Sequence, residues 1–282
     1  MTRIAGPRVS AYAGLAALGL VAALALGRPE LVALAAPFAL AAVVGAGLPR
    51  DPKLEATLSV DRERALEGEE VVLTIELAAA AGADPIAFRR KYLDPNDKRG
   101  LEVIERLAAL AKWESRPSPQ KQISGNIVRG RGMSYVKYEL ARTYVGAVAE
   151  VEVDRGSGEI KVAKIFVTHD CGQIINPDGL RNQLDGNILQ TVSRVLKEEV
   201  KFDRSRVTSL DWESYPILRF PEMPEIAVEL IDRPTAAPWG AGEPSASVIP
   251  SAISNAVFDA TGVRLRSIPY TPAKVKAALG AA

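Results

Sequence analysis

The chain has 282 residues, 48% of them hydrophobic and 24% charged, with a formal net charge of +1. It is long enough for one sizeable domain plus something smaller, and its charge carries no signature of a nucleic-acid binder. The single cysteine, Cys171, excludes an internal disulfide, and with the single histidine, His169, it excludes His-rich, Cys₂His₂ and Cys₄ metal sites. Any metal is then held by carboxylates or arrives inside a cofactor.

Residues 1–53 read as a membrane hairpin. Residues 10–27 and 31–48 are apolar, each close to the roughly 20 residues that span a bilayer. Gly27-Arg28-Pro29-Glu30 turns between them. Arg3 and Arg8 precede the first span, and Arg50 and Lys53 follow the second, which puts both ends on the cytoplasmic side. A signal peptide followed by an Ala-rich segment is the alternative; it suits Arg3 and Arg8 and leaves the second span unexplained. Residues 54–77 alternate. Leu54, Ala56, Leu58 and Val60 share one face, and Val71, Leu73, Ile75 and Leu77 share another, so two strands are expected. No further strand follows; Leu77 runs directly into the helix-favouring Ala78-Ala79-Ala80-Ala81. The apolar hairpin and the segment from Glu55 to Leu77 resemble the start of a bacterial membrane-protein family often encoded beside MoxR-type ATPases. Its later part, resembling a von Willebrand type A domain, is absent here.

From Ala78 the character changes. Asp84-Pro85 marks an N-cap and first helical position, opening a helix over 85–93 that Asp94-Pro95 stops. A second helix is expected over 101–113, with Leu101, Ile104, Leu107, Ala108 and Ala111 on one face. Residues 115–124 read as a loop. Thr143 to Val153 alternates, Asp154-Arg155-Gly156-Ser157-Gly158 is a hairpin turn, and residues 159–168 return as the partner strand. A helix then begins near Asn176-Pro177, with Leu180, Leu184, Ile188, Val192 and Val195 as its stripe. Further on, 226–231 is an expected strand, 250–260 a helix ending at Gly262, 263–268 a strand, and Thr271-Pro272 the start of a short final helix. Strands and helices mixed without a strict βαβ rhythm indicate an α+β fold.

Two stretches can carry chemistry. Pro238-Trp239-Gly240-Ala241-Gly242-Glu243-Pro244 is a Gly/Pro-rich turn with one carboxylate, able to act as a base if its surroundings are dry. Most such turns are only turns. In residues 169–186, a strand ends, Gly172 turns the chain, and Asn176 caps a helix whose free N–H groups can bind an anion. Gln183, about two turns in, offers a donor and an acceptor, and Arg181 either assists a phosphate or sits on the surface. A plain capped helix after a strand is the commoner meaning of such a run. No Gly-x-x-x-x-Gly-Lys and no strand-borne Gly-x-Gly-x-x-Gly occurs.

Five short motifs appear in order: residues 79–89 with Asp84-Pro85 and Phe88-Arg89; Asp170-Cys171-Gly172 with Asn176-Pro177-Asp178-Gly179; Gln183 with Gly186; Ser214-Tyr215-Pro216-Ile217-Leu218; and Gly240-Ala241-Gly242-Glu243-Pro244. Together they resemble the C-terminal part of the molybdopterin-binding large subunit of the xanthine dehydrogenase and aldehyde oxidase family, in its isoquinoline, nicotinate and carbon monoxide dehydrogenase-like branch. The resemblance implies a molybdenum-molybdopterin cofactor, in cytosine dinucleotide form, whose metal takes no protein ligand. It implies hydroxylation of an electron-poor carbon of an N-heterocycle or aldehyde, with Glu243 as catalytic base. It places Cys171, Gly172, Asn176, Gln183, Gly240 and Gly242 near the cofactor. [2Fe–2S] clusters and FAD are expected on partner subunits, an iron–sulfur small subunit and an FAD subunit. The family's upstream half, with its earlier pocket loops, is missing and would be a further partner.

The expected organisation is thus a transmembrane hairpin over 1–53, a truncated β fragment over 54–77 and a partial cofactor-binding domain over 78–282. The abrupt junction suggests a fusion of unrelated genes or a sequence-assembly error. The expected setting is a bacterial inner membrane with the C-terminal domain cytoplasmic, or the cytoplasm if the fusion is an artefact. Two other readings are a non-enzymatic membrane-attached chimera with the cofactor domain as passenger, and a module that only captures dinucleotide cofactors.

Overall fold

The structure is a computed structural model that describes residues 54–60, 73–79, 83–120, 124–139 and 142–280. The expected hairpin over 1–53 lies outside these residues. Among the described residues no helix is long and apolar enough to cross a membrane.

The chain divides into two compact units at Ala81/Gly82. In the first, β1 (Leu54–Val60) and β2 (Leu73–Ala79) pair antiparallel, with Leu54 opposite Ala79. Ala78 and Ala79, expected to start a helical run, instead lie opposite Glu55 and Leu54 as the end of β2. Strand pairing here overrides intrinsic helix propensity.

The second unit is a mixed α/β layer structure. Its order is α1 (Pro85–Tyr92), α2 (Lys98–Leu110), β3 (Ile127–Tyr138), β4 (Thr143–Asp154), β5 (Ile160–Asp170), α3 (Pro177–Leu196), β6 (Glu225–Leu230), α4 (Gly242–Thr261) and α5 (Pro272–Gly280). The sheet runs β3-β4-β5-β6, with β3, β4 and β5 antiparallel in turn and β6 parallel to β5. Helices cover both faces. Val145, Ala147, Ala149, Val151 and Val153 point to α3, α4 and α5, while Met133, Val148 and Phe166 pack with Ile86, Ile104 and Leu107 of α1 and α2. The α+β expectation is therefore sharpened to a sheet sandwiched between two helical layers.

Local chemistry explains most elements. Asp84 accepts the Ala87 N–H at 2.7 Å and caps α1. Asp154 accepts from Gly156 and Ser157 at 2.8 and 3.1 Å, tightening the β4–β5 turn. In β5 the pairing slips by one residue beyond Val162. This bulge lets Ile160 and Val162, then Ile165 and Val167, face one core although their spacing changes parity.

Three expectations change. Strand β3 was not anticipated. Helix α4 begins at Gly242, eight residues before the expected 250, because the first turn of a helix tolerates the missing N–H of Pro244. Residues 263–268 form no strand: Arg264 folds back over the Phe258 ring at 3.7 Å and bonds Asn255, while Leu265 is buried beside α4.

Helix α4 lies against bare backbone. A methyl at Gly130 would stand 2.1 Å from the Ala256 carbonyl, and one at Gly132 would stand 2.1 Å from the Ala256 nitrogen. Buried Asp259 ties the same seam, bonding Arg116 twice, at 2.7 and 2.6 Å, and the Arg131 N–H at 2.9 Å. Gly132→Ala is expected to lower unfolding stability by about 1–3 kcal/mol through overpacking. Gly186→Ala, at an exposed position of α3 with nothing within 4 Å of the new methyl, should raise it by roughly 0.5–1 kcal/mol. Urea titrations of the two variants test the opposite signs.

Candidate functional site

The end of β3, the start of β4, one face of α3 and the start of α4 meet around a pocket of about 310 Å³. Its lining includes Tyr138, Arg142, Gln183, Asn187, Gly240 and Glu243. The approach to it is the loop 233–241. The Trp239 N–H donates to the Cys171 carbonyl at 2.9 Å, and the Arg233 N–H to the Gly172 carbonyl at 3.1 Å. Gly172 has φ +82°, and a Cβ there would stand 2.0 Å from the Ala237 carbonyl. Only glycine allows both the left-handed backbone and the close approach. Two buried side chains then hold successive carbonyls of the loop. Thr143 Oγ1 donates to Gly240 at 2.9 Å, and His169 Nε2 lies 3.2 Å from the Ala241 carbonyl. Arg142 stacks on the Trp239 ring at 4.7 Å and pairs with Glu139 at 2.8 Å.

Glu243 sits in the first turn of α4, where a carboxylate is favoured by the helix dipole. Tyr138 Oη donates to its Oε2 at 2.9 Å. The carboxylate is exposed, so the dry surroundings expected for a base are not provided by the described residues. Across the pocket stand Gln183 and Asn187, one turn apart on α3. Gly242 lets them approach, since a methyl there would meet Asn187 Nδ2 at 2.7 Å.

Behind the loop, Asp170 is fully buried. Arg99 reaches it at 2.6 and 3.0 Å, Arg233 at 2.6 Å and the Gly172 N–H at 3.1 Å. Burial opposes its ionisation, and the hydrogen bonds from Arg99, Arg233 and Gly172 outweigh burial, leaving its pKa below the ordinary carboxylate value. Burial pushes the Cys171 thiol up, with Asp170 adding to the effect. Burial also lowers the His169 pKa to about 4, against opposing contributions from the Ala241 carbonyl and Asp170.

Of the sequence-predicted site residues, the structure brings Glu243, Gln183, Gly240 and Gly242 to one pocket. Cys171 and Gly172 lie behind it and support the loop. Asn176 is exposed and caps α3, accepting the Gly179 N–H at 2.9 Å. It stands seven residues from Gln183, about 10 Å along a helix, so the helix start that faces the pocket is that of α4. Sequence reasoning missed Tyr138, Thr143, Asn187 and the role of His169. The one available signal was a lone histidine ending an apolar strand.

Residues 137–224 match the molybdopterin cofactor-binding domain family. Among curated relatives, a subunit of nicotinate dehydrogenase from Pseudomonas putida is 43% identical over 73% of this chain and 18% of its own length. The beta subunit of isoquinoline 1-oxidoreductase from Brevundimonas diminuta is 30% identical over 71% of this chain and 25% of its own. The chain thus spans about a fifth to a quarter of the curated relatives it matches. The structure of quinoline 2-oxidoreductase from Pseudomonas putida 86 aligns at 27% identity with a TM-score of 0.46, covering 49% of this chain and 19% of that one. The chain carries a molybdopterin cofactor-binding domain of the xanthine dehydrogenase and aldehyde oxidase family, with nicotinate and isoquinoline dehydrogenases as homologues. None of these relationships supports a fused membrane hairpin.

Two outcomes follow from the loop and its backing. Gly172→Ala should cost several kcal/mol, the sum of left-handed strain and a clash with backbone, and a thermal melt reads it. The unfolded chain protonates His169 near pH 6.5 and the folded chain only near pH 4. Stability should therefore be fully present above pH 6.5 and fall by on the order of 3 kcal/mol towards pH 4. The slope should flatten in His169→Gln, as read by denaturation at a series of pH values.

Proposed function

We propose that this chain is part of the large subunit of a molybdenum hydroxylase, acting on an electron-poor carbon of an N-heterocycle or aldehyde, with Glu243 as catalytic base. The observation that carries this reading is the Glu243 carboxylate at the start of α4, bonded by Tyr138 at 2.9 Å and facing Gln183 and Asn187 across one pocket.

The pocket suits a molybdopterin. Open space beside Gly240 admits a flat group close to backbone, and the amides of Gln183 and Asn187 offer donors and acceptors of the kind a pterin or nucleotide edge requires. Among the described residues no three His, Cys, Asp or Glu side chains converge as a metal site. The cofactor proposed brings its metal on its own sulfur ligands. When bound, a molybdopterin supplies oxygen transfer and two-electron redox chemistry. Glu243 accepts the proton that leaves the attacking oxygen, at the carboxylate oxygen left free by Tyr138. Tyr138 fixes the other oxygen, and Gln183 and Asn187 orient the cofactor's polar edge. The cytosine dinucleotide form, and [2Fe–2S] and FAD on partner subunits, complete the proposal; the nicotinate and isoquinoline relatives described above are by name subunits.

The test is Glu243→Gln in the chain expressed with its partner subunits in a host that makes the cofactor. Molybdenum and pterin content should match the parent while kcat on a pyridine-type heterocycle falls about 10²–10⁴-fold. Unchanged turnover would refute the base assignment, and a parent complex without pterin would refute the cofactor assignment.

A further inference from the structure

The sole histidine of the chain has no place in the proposed chemistry, yet it is among the most enclosed polar residues of the structure. His169 is 1% exposed, on β5 between Val145 of β4 and Leu230 of β6. Successive strand residues face opposite ways. Asp170 turns to Arg99 of α2, and His169 turns to the start of α4. There Nε2 lies 3.2 Å from the Ala241 carbonyl, two residues before Glu243, and Nδ1 is buried without a hydrogen-bond partner.

We propose that His169 is a positioning residue for the base loop: its Nε2–H, donated to the Ala241 carbonyl from inside the sheet, fixes the entry of α4 and so the place of the Glu243 carboxylate. A carbonyl only accepts, so the ring nitrogen facing it carries the proton. With that bond made, the neutral ring leaves Nδ1 as a bare acceptor. An imidazolium would instead bury a charged N–H with no partner, which is far more costly. The depressed pKa agrees with the neutral form. Thr143, 1% exposed on the neighbouring strand, makes the matching bond to Gly240 at 2.9 Å. Two consecutive carbonyls are thus anchored from adjacent strands, and the helix start cannot rotate about either one alone. The placement stands on geometry; its catalytic consequence rests on Glu243 being the base.

Because His169 is the only histidine, imidazole ¹⁵N spectra of the full chain contain a single ring. The expected result is the neutral Nε2–H tautomer throughout neutral pH. An Nδ1–H tautomer, or titration like an exposed histidine, would overturn the proposal. His169→Leu fills the space without a donor, and His169→Gln restores an N–H at the tip of the side chain. The Ala241 carbonyl ¹³C shift and the Glu243 amide ¹⁵N shift should move in the leucine variant and return in the glutamine variant, while β4 and β5 shifts hold. Equal shifts across both strands would reduce His169 to core packing and end the proposal. In the assembled enzyme the leucine variant should lose about tenfold in kcat, the weight of one hydrogen bond, with KM little changed. A kcat equal to the parent's would contradict positioning while leaving the base assignment intact. Retained turnover in Glu243→Gln would remove the base assignment while leaving the spectroscopic result standing.

Discussion

Helix α4 packs close to the sheet because β3 presents bare glycine at positions 130 and 132 beneath its C-terminal half. Gly130 and Gly132 lie under Ala252, Ala256 and Ala260, at distances that leave no room for a methyl. A seam this close fixes the helix along its whole length, since sliding it would drive a Cβ into backbone. Its C-terminal end is secured by Asp259 and by the left-handed cap at Gly262. Glu243 therefore stands where the seam puts the first turn. The core and the pocket are two ends of one rigid element.

The loop that feeds α4 has no regular structure of its own, and its shape comes from the strand ends. Cys171 takes the Trp239 N–H, Thr143 and His169 take the carbonyls of residues 240 and 241, and Gly172 makes space for Ala237. Behind them the charge of Asp170 is balanced by Arg99 and Arg233, which also binds Glu102. Removing one partner from such a set leaves a buried charge uncompensated. The same group of residues thus holds the loop and ties α2 to the sheet. Functional residues positioned by a scaffold in this way can lie on irregular backbone without losing geometry.

Much of this scaffold was legible in the sequence, and the exceptions have physical causes. The alternation from Val145 to Val153 and the Asp154–Gly158 turn announced the central hairpin, because every second residue of this run faces one core while Glu150 and Glu152 take the other side. Strand β3 was hidden because two positions of its face towards α4, Gly130 and Gly132, are glycine where a core strand usually carries Val or Ile. The start of α4 was hidden because Gly-Ala-Gly-Glu-Pro has the composition of a turn, and only the seam makes it helical. Glu243 and Gln183 were identified through family likeness, and they do share a pocket. Cys171 and Gly172 support the loop and Asn176 caps α3. Thr143 left no local pattern and His169 only a lone histidine at a strand end, since each acts on a backbone carbonyl 97 or 72 residues away.

The central claim is that the strand ends hold residues 237–245 as firmly as the core. Amide hydrogen exchange of the full chain, followed by mass spectrometry, measures this directly. Within this stretch the Trp239 N–H, bonded to the Cys171 carbonyl, is predicted to exchange as slowly as the amides of β5. Exchange of that amide at the rate of an unstructured chain would contradict the account.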